Sequence, residues 1–119
     1  MFDTAIGAIG LAAAAVIIYS TGVCLTLLGR PFNAVLLAVH KLLSLAFLIF
    51  VGVLIYKTTP LIFSDWMFVA SAAVLSIASF ASGGVVTVME KAPPWTIWSH
   101  RIGVWLNGMA IVLCLIRIA

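Results

Sequence analysis

Asn33 to Tyr56 reads NAVLLAVHKLLSLAFLIFVGVLIY, an almost unbroken apolar run in whose interior His40 and Lys41 stand side by side. About 20 such residues suffice to cross the hydrocarbon core of a bilayer as an α-helix. A charged or ionisable side chain inside such a span is expensive. It faces a bundle interior, pairs with another group or marks a functional pathway. This stretch therefore predicts a membrane helix and asks what His40 is for.

Working outward, the whole chain has the same character. Of its 119 residues 66% are hydrophobic and 8% charged, against about 25% charged in ordinary soluble domains. Four apolar runs fill it, about Thr4 to Leu28, Phe32 to Tyr56, Pro60 to Met89 and Trp95 to Ile118. The opening MFDTAIG lacks the basic region of a signal peptide, so the first run is read as a retained helix. Gly29-Arg30-Pro31, Lys57-Thr58-Thr59-Pro60 and Lys91-Ala92-Pro93-Pro94 punctuate the connections. Connections this short make successive helices antiparallel neighbours. The expectation is an all-α integral membrane protein, a single up-down-up-down four-helix bundle, with Tyr56, Phe63, Trp66 and Trp95 near the helix ends as an aromatic belt.

The fourth run carries a second histidine followed by a basic residue, His100-Arg101. His40 lies nine residues beyond Pro31 and His100 six beyond Pro94. At the helical rise these are roughly 13 Å and 9 Å from one membrane side, so both histidines are expected in the same leaflet. An offset of about 60 residues superposes the two halves. Tyr19-Ser20-Thr21-Gly22-Val23 then meets Phe80-Ala81-Ser82-Gly83-Gly84-Val85, each ahead of a proline-marked turn and a helix bearing His and a cation. This suggests two repeated helical hairpins, and parallel repeats place their site at the repeat interface.

Helical faces point the same way. Ala8, Ala12, Ala15, Tyr19, Gly22, Thr26 and Gly29 form a stripe of mostly small residues on the first helix, suited to close packing. On the fourth, Gly103, Asn107, Ile111 and Cys114 share the face of His100; on the third, Ser76, Ser79 and Gly83 share one stripe; on the second, Ser44 and Phe47 follow His40.

These residues suit a haem. Neutral imidazole is an axial ligand for iron, and two strong-field ligands favour electron transfer over O₂ binding. His40 and His100 are the expected iron ligands. Gly22 and Gly83 fall at their depth, where a missing side chain either clears a porphyrin or simply allows close helix packing. Each imidazole needs an acceptor for its other nitrogen, for which the backbone carbonyl one turn earlier, Ser44 and Asn107 are available. Lys41 and Arg101, with Arg30 or Lys91, reach the interface and there meet haem propionates or lipid headgroups.

The pattern resembles small transmembrane b-type cytochromes, including cytochrome b561-like proteins and the haem-bearing membrane anchors of succinate dehydrogenase-like complexes. It does so through helix count and the His40-Lys41 and His100-Arg101 pairs. Cytochrome b561-like proteins hold two haems with four histidines, whereas this chain has two histidines. The resemblance therefore implies one haem b per chain, exchanging electrons with quinone or a partner protein.

Other readings of the same residues are a non-haem scaffold or anchor subunit, with both histidines satisfied by helix contacts, and a small transporter. Compact exporters work as dimers and couple protons through a buried carboxylate, but Asp3, Asp65 and Glu90 all lie near helix ends. A metal site from His40, His100 and Cys24 falls short of the four ligands of a closed zinc site. Cys24 and Cys114 belong to opposite membrane sides, and no CxxC occurs. Six basic residues spread over four spans make no nucleic-acid patch. Arg30, Lys41, Lys91 and Arg101 lie toward the side of the first and third loops, against Lys57 and Arg117 on the other. The positive-inside rule then puts those loops in the cytoplasm and both termini outside, in what is read as a prokaryotic inner membrane. A homodimer is compatible with all of this.

Overall fold

The computed structural model describes residues 4–57 and 61–118, with the side chains of 4–6, 8 and 118 outside the description. The described residues form four α-helices, α1 (Thr4–Leu28), α2 (Ala34–Lys57), α3 (Phe63–Val88) and α4 (Pro94–Ile118). There is no strand among the described residues. Each helix contains a segment long and apolar enough to span a membrane, Ile9–Leu28, Ala34–Lys57, Phe63–Val88 and Pro94–Arg117. The chain is an all-α integral membrane protein. With no water in the bilayer core, helices satisfy every backbone group internally, and a chain this apolar has few alternatives.

The helix ends follow local chemistry. Asn33 caps α2, its Oδ1 accepting from Leu36 N at 3.0 Å, so the helix begins two residues after the expected Phe32. Gly29, at φ +70°, ends the α1 segment in the left-handed conformation and donates to Leu25 O at 3.2 Å. Pro94 opens α4, where its missing N–H costs nothing. At the start of α3 the Ile62 N–H donates to Asp65 Oδ2 at 3.1 Å. The expected start at Pro60 and the loop residues Thr58 and Thr59 lie outside the described residues, as do Asp3 and the side chain of Ala8.

The chain divides into two compact units, Met1–Leu54 and Ile55–Ala119. In the first, α1 meets α2 where Ile18, Thr21 and Gly22 touch His40. The buried side chain of α1 is Leu25, with Ile18, Tyr19, Thr21 and Gly22 half-buried, whereas Ala12 and Thr26 are exposed. The inward face thus keeps Ala15, Tyr19, Gly22 and Gly29 of the expected stripe, all half-buried, and takes in Ile18 and Leu25 where Ala12 and Thr26 were expected. An imidazole fills the gap at Gly22, and the larger Ile18 and Leu25 flank it.

In the second unit α3 and α4 close as an antiparallel seam: Ser82 with His100, Ser79 with Gly103, Ser76 with Asn107 and Asp65 with Arg117. Each step toward the start of α3 meets a step toward the end of α4. Ser76 and Ser79 are buried and Cys114 fully so, while Trp98 and Trp105 point outward at 60% and 67% exposure. Most hydroxyls in the spans donate to the carbonyl three or four residues back, as Ser44, Ser71, Ser76, Ser99, Thr26 and Thr87 do, which spares them an unpaired state in lipid. Ser79 Oγ is buried without a hydrogen-bond partner among the described residues.

Candidate histidine site

The two units build the same local arrangement from different residues. In the first, Thr21 on α1 donates through Oγ1 to Ile18 O at 2.9 Å, and His40 Nδ1 on α2 lies 3.0 Å from that hydroxyl and 3.1 Å from the same carbonyl. In the second, Ser82 on α3 donates through Oγ to Ser79 O at 3.1 Å, and His100 Nδ1 on α4 lies 3.0 Å from Ser82 Oγ. One turn further along, Thr26 bonds Gly22 O and Thr87 bonds Gly83 O. Ile18, Thr21, Gly22 and Thr26 therefore correspond to Ser79, Ser82, Gly83 and Thr87 at a constant spacing along the chain. The likeness read from a short stretch of sequence recurs as hydrogen bonding.

The glycines touch the histidines themselves. A Cβ on Gly22 would lie 3.1 Å from His40 Cε1 and 3.7 and 3.8 Å from its Nδ1 and Nε2. On Gly83 it would lie 2.9 Å from His100 Cε1 and 3.4 and 3.5 Å from Nδ1 and Nε2. Each ring thus meets the neighbouring helix edge-on through Cε1, with one nitrogen on either flank. The clearance assigned in the sequence to a porphyrin or to bare helix packing is occupied by imidazole. Gly84, next in the chain, has open space at its Cβ position.

A carbonyl oxygen only accepts, so the 3.1 Å contact with Ile18 O places the proton of neutral His40 on Nδ1. The lone pair is then on Nε2, the arrangement that metal-ligating histidines adopt when a carbonyl or carboxylate holds the other nitrogen. Both histidines are half-buried. Each unit thus holds one imidazole hydrogen-bonded at Nδ1, and imidazole is a donor type that haem iron accepts as an axial ligand.

The other expected site residues sit elsewhere. Ser44 donates to His40 O at 2.7 Å, so it bonds the backbone of its own helix instead of the ring. Asn107 Oδ1 accepts from Ser76 Oγ at 2.9 Å in the α3–α4 seam, one step beyond Gly103. The expected acceptor one turn back on the histidine's own helix is replaced by groups on the preceding helix. Lys41 is exposed, and Arg101 lies over the Trp98 ring at 5.3 Å, on the outward face. Arg30 lies 4.9 Å from the Phe32 ring centroid. Thr21 and Ser82, which hold the imidazoles, were not singled out from the sequence. Their signal was present, since each immediately precedes the glycine of the repeat. No family model, curated protein or solved structure matches the chain, so the functional reading stands on these residues.

Proposed function

We propose that the protein is a membrane b-type cytochrome that holds one haem b through His40 and His100 and passes electrons to or from quinone or a partner protein. The observation that carries this reading is the duplicated unit: hydroxyl, glycine and a histidine fixed at Nδ1, built once in each half of the chain. A buried imidazole needs a hydrogen-bond partner in either reading, so the support comes from repetition: the same hydroxyl, glycine and histidine recur in both halves, which asks for a purpose common to both. Bound between two imidazoles, the haem supplies one-electron chemistry with both axial positions filled.

The chain's own residues do the rest. Thr21, Ser82 and the Ile18 carbonyl orient the rings, and Gly22 and Gly83 leave them room. By the positive-inside rule, the basic residues on the side of the first and third loops support a cytoplasmic position for that side with both termini outside, in a membrane read as a prokaryotic inner membrane. The rival is the scaffold reading, in which each imidazole is only a hydrogen-bonded wedge.

Titration of the detergent-purified apoprotein with haemin separates the two. The cytochrome reading expects saturation at one haem per chain, with a sharp α-band on reduction with dithionite. A chain that takes up no haemin, or takes it up without saturation, refutes it.

A further inference from the structure

We propose that Thr21 and Ser82 are positioning residues whose hydroxyls act as acceptors, hold His40 and His100 as Nδ1–H tautomers, and set how strongly each Nε2 donates to a metal. The tautomer of His40 follows from hydrogen bonding alone, and that of His100 from the repeat of the same arrangement. The effect on donor strength rests on the haem reading above.

A hydroxyl has one hydrogen to give. Thr21 Oγ1 gives it to Ile18 O at 2.9 Å, and Ser82 Oγ gives it to Ser79 O at 3.1 Å. Each oxygen then faces its imidazole with lone pairs only. The ring nitrogen 3.0 Å away then carries the hydrogen, an assignment made for His40 by geometry and extended to His100 by the repeat. For His40 the same answer comes independently from the Ile18 carbonyl at 3.1 Å. Threonine and serine suit the task because a helical hydroxyl readily bonds the carbonyl three or four residues back. That bond commits the hydrogen and turns an ambiguous donor into a defined acceptor.

A hydrogen bond from Nδ1–H raises the basicity of the ring and with it the strength of Nε2 as a ligand. The effect is greater for ferric than for ferrous iron, because the higher charge draws more on the imidazole electrons. Loss of either hydroxyl should therefore weaken haem binding and raise the midpoint potential. Thr26 and Thr87 are natural controls: each bonds the carbonyl of Gly22 or Gly83, one turn beyond the ring contact.

The test uses the whole chain in two forms. In ligand-free protein labelled with ¹⁵N-histidine, NMR should report Nδ1–H and an unprotonated Nε2 for both histidines. The Nδ1–H proton of the affected ring should move toward a weaker hydrogen bond in Thr21→Val or Ser82→Ala, and in neither Thr26→Val nor Thr87→Val. In haem-loaded protein, Thr21→Val and Ser82→Ala should each lower ferric haem affinity roughly 10–100-fold. Each tenfold excess of ferric over ferrous weakening raises the potential by about 59 mV. Thr21→Ser and Ser82→Thr should restore the wild-type values.

An Nε2–H tautomer in the wild type, or proton shifts, affinities and potentials that do not distinguish these variants from the controls, overturns the proposal while leaving haem binding intact. An Nδ1–H tautomer with the expected proton shifts, in a chain that binds no haem, supports the positioning role and refutes the cytochrome reading instead.

Discussion

Alanine at Gly83 is the sharpest steric perturbation available in this chain. The added Cβ would lie 2.9 Å from His100 Cε1, and ordinary contact begins at 3.4 Å, so the ring must retreat by about 0.5 Å. A retreat along the bond to Ser82, now 3.0 Å, would leave that hydrogen bond near its geometric limit. Overpacking of this kind costs about 1–3 kcal/mol. Alanine also gains about 0.5–1 kcal/mol over glycine in a helix, which would blur the result if Gly83→Ala were measured alone. Gly84→Ala removes that ambiguity, because the neighbouring position is helical and has open space. The two variants should share the helical gain and differ by the steric term, about 1–3 kcal/mol. Gly22→Ala should cost less than Gly83→Ala, since its contact is 3.1 Å. Reversible unfolding in detergent micelles, followed by circular dichroism, gives the difference. Equal stabilities for Gly83→Ala and Gly84→Ala would refute the claim that Gly83 exists to admit the imidazole.

The seam between α3 and α4 offers further tests. Ser76→Ala and Asn107→Ala, with the double variant, should show a coupling of about 0.6 kcal/mol, the usual size for a hydrogen bond between membrane helices, measured by the same unfolding assay. Ser79→Ala should stabilise by about 1–3 kcal/mol, because it removes a buried hydroxyl that has no partner among the described residues; a loss of stability would contradict this. Asp65→Ala should cost more than Arg117→Ala. Asp65 both accepts from Arg117 Nε at 3.0 Å and, as the third residue of α3, accepts from the Ile62 N–H at the helix start, a hydrogen bond to a charged group that contributes about 1.5–3 kcal/mol, whereas Arg117 is half exposed. In folded protein in detergent, a small membrane-permeant maleimide should modify Cys24, on the open surface of α1, before the fully buried Cys114, which should react only once the chain is denatured.

The four helices were legible because apolar runs of membrane-spanning length leave little else for a backbone to do in lipid. The faces of α3 and α4 were legible too, since Ser76, Ser79, His100, Gly103 and Asn107 are the small and polar residues among bulky apolar ones. The face of α1 was harder. Its alanines and glycines are spread around the helix, so spacing alone favoured Ala12 and Thr26, whereas burial goes to Leu25 beside the His40 contact. The histidines and glycines were legible as a pair of repeats, but not their contact. Whether a glycine clears a porphyrin or an imidazole depends on the distance and rotation of the partner helix, which the sequence does not encode locally. Thr21 and Ser82 escaped for a related reason. A membrane serine or threonine is ordinarily satisfied within its own helix, and only the position of the neighbouring ring shows that its oxygen has a second task.

The most direct test of the account is the ultraviolet–visible spectrum of the purified full chain, oxidised and dithionite-reduced, beside His40→Ala and His100→Ala, with haem quantified as the pyridine haemochrome. The account predicts a low-spin spectrum with a sharp reduced α-band and one haem per chain in the wild type, and loss of that spectrum in each variant. A wild-type chain without haem, or both variants retaining the wild-type spectrum, would contradict ligation by His40 and His100.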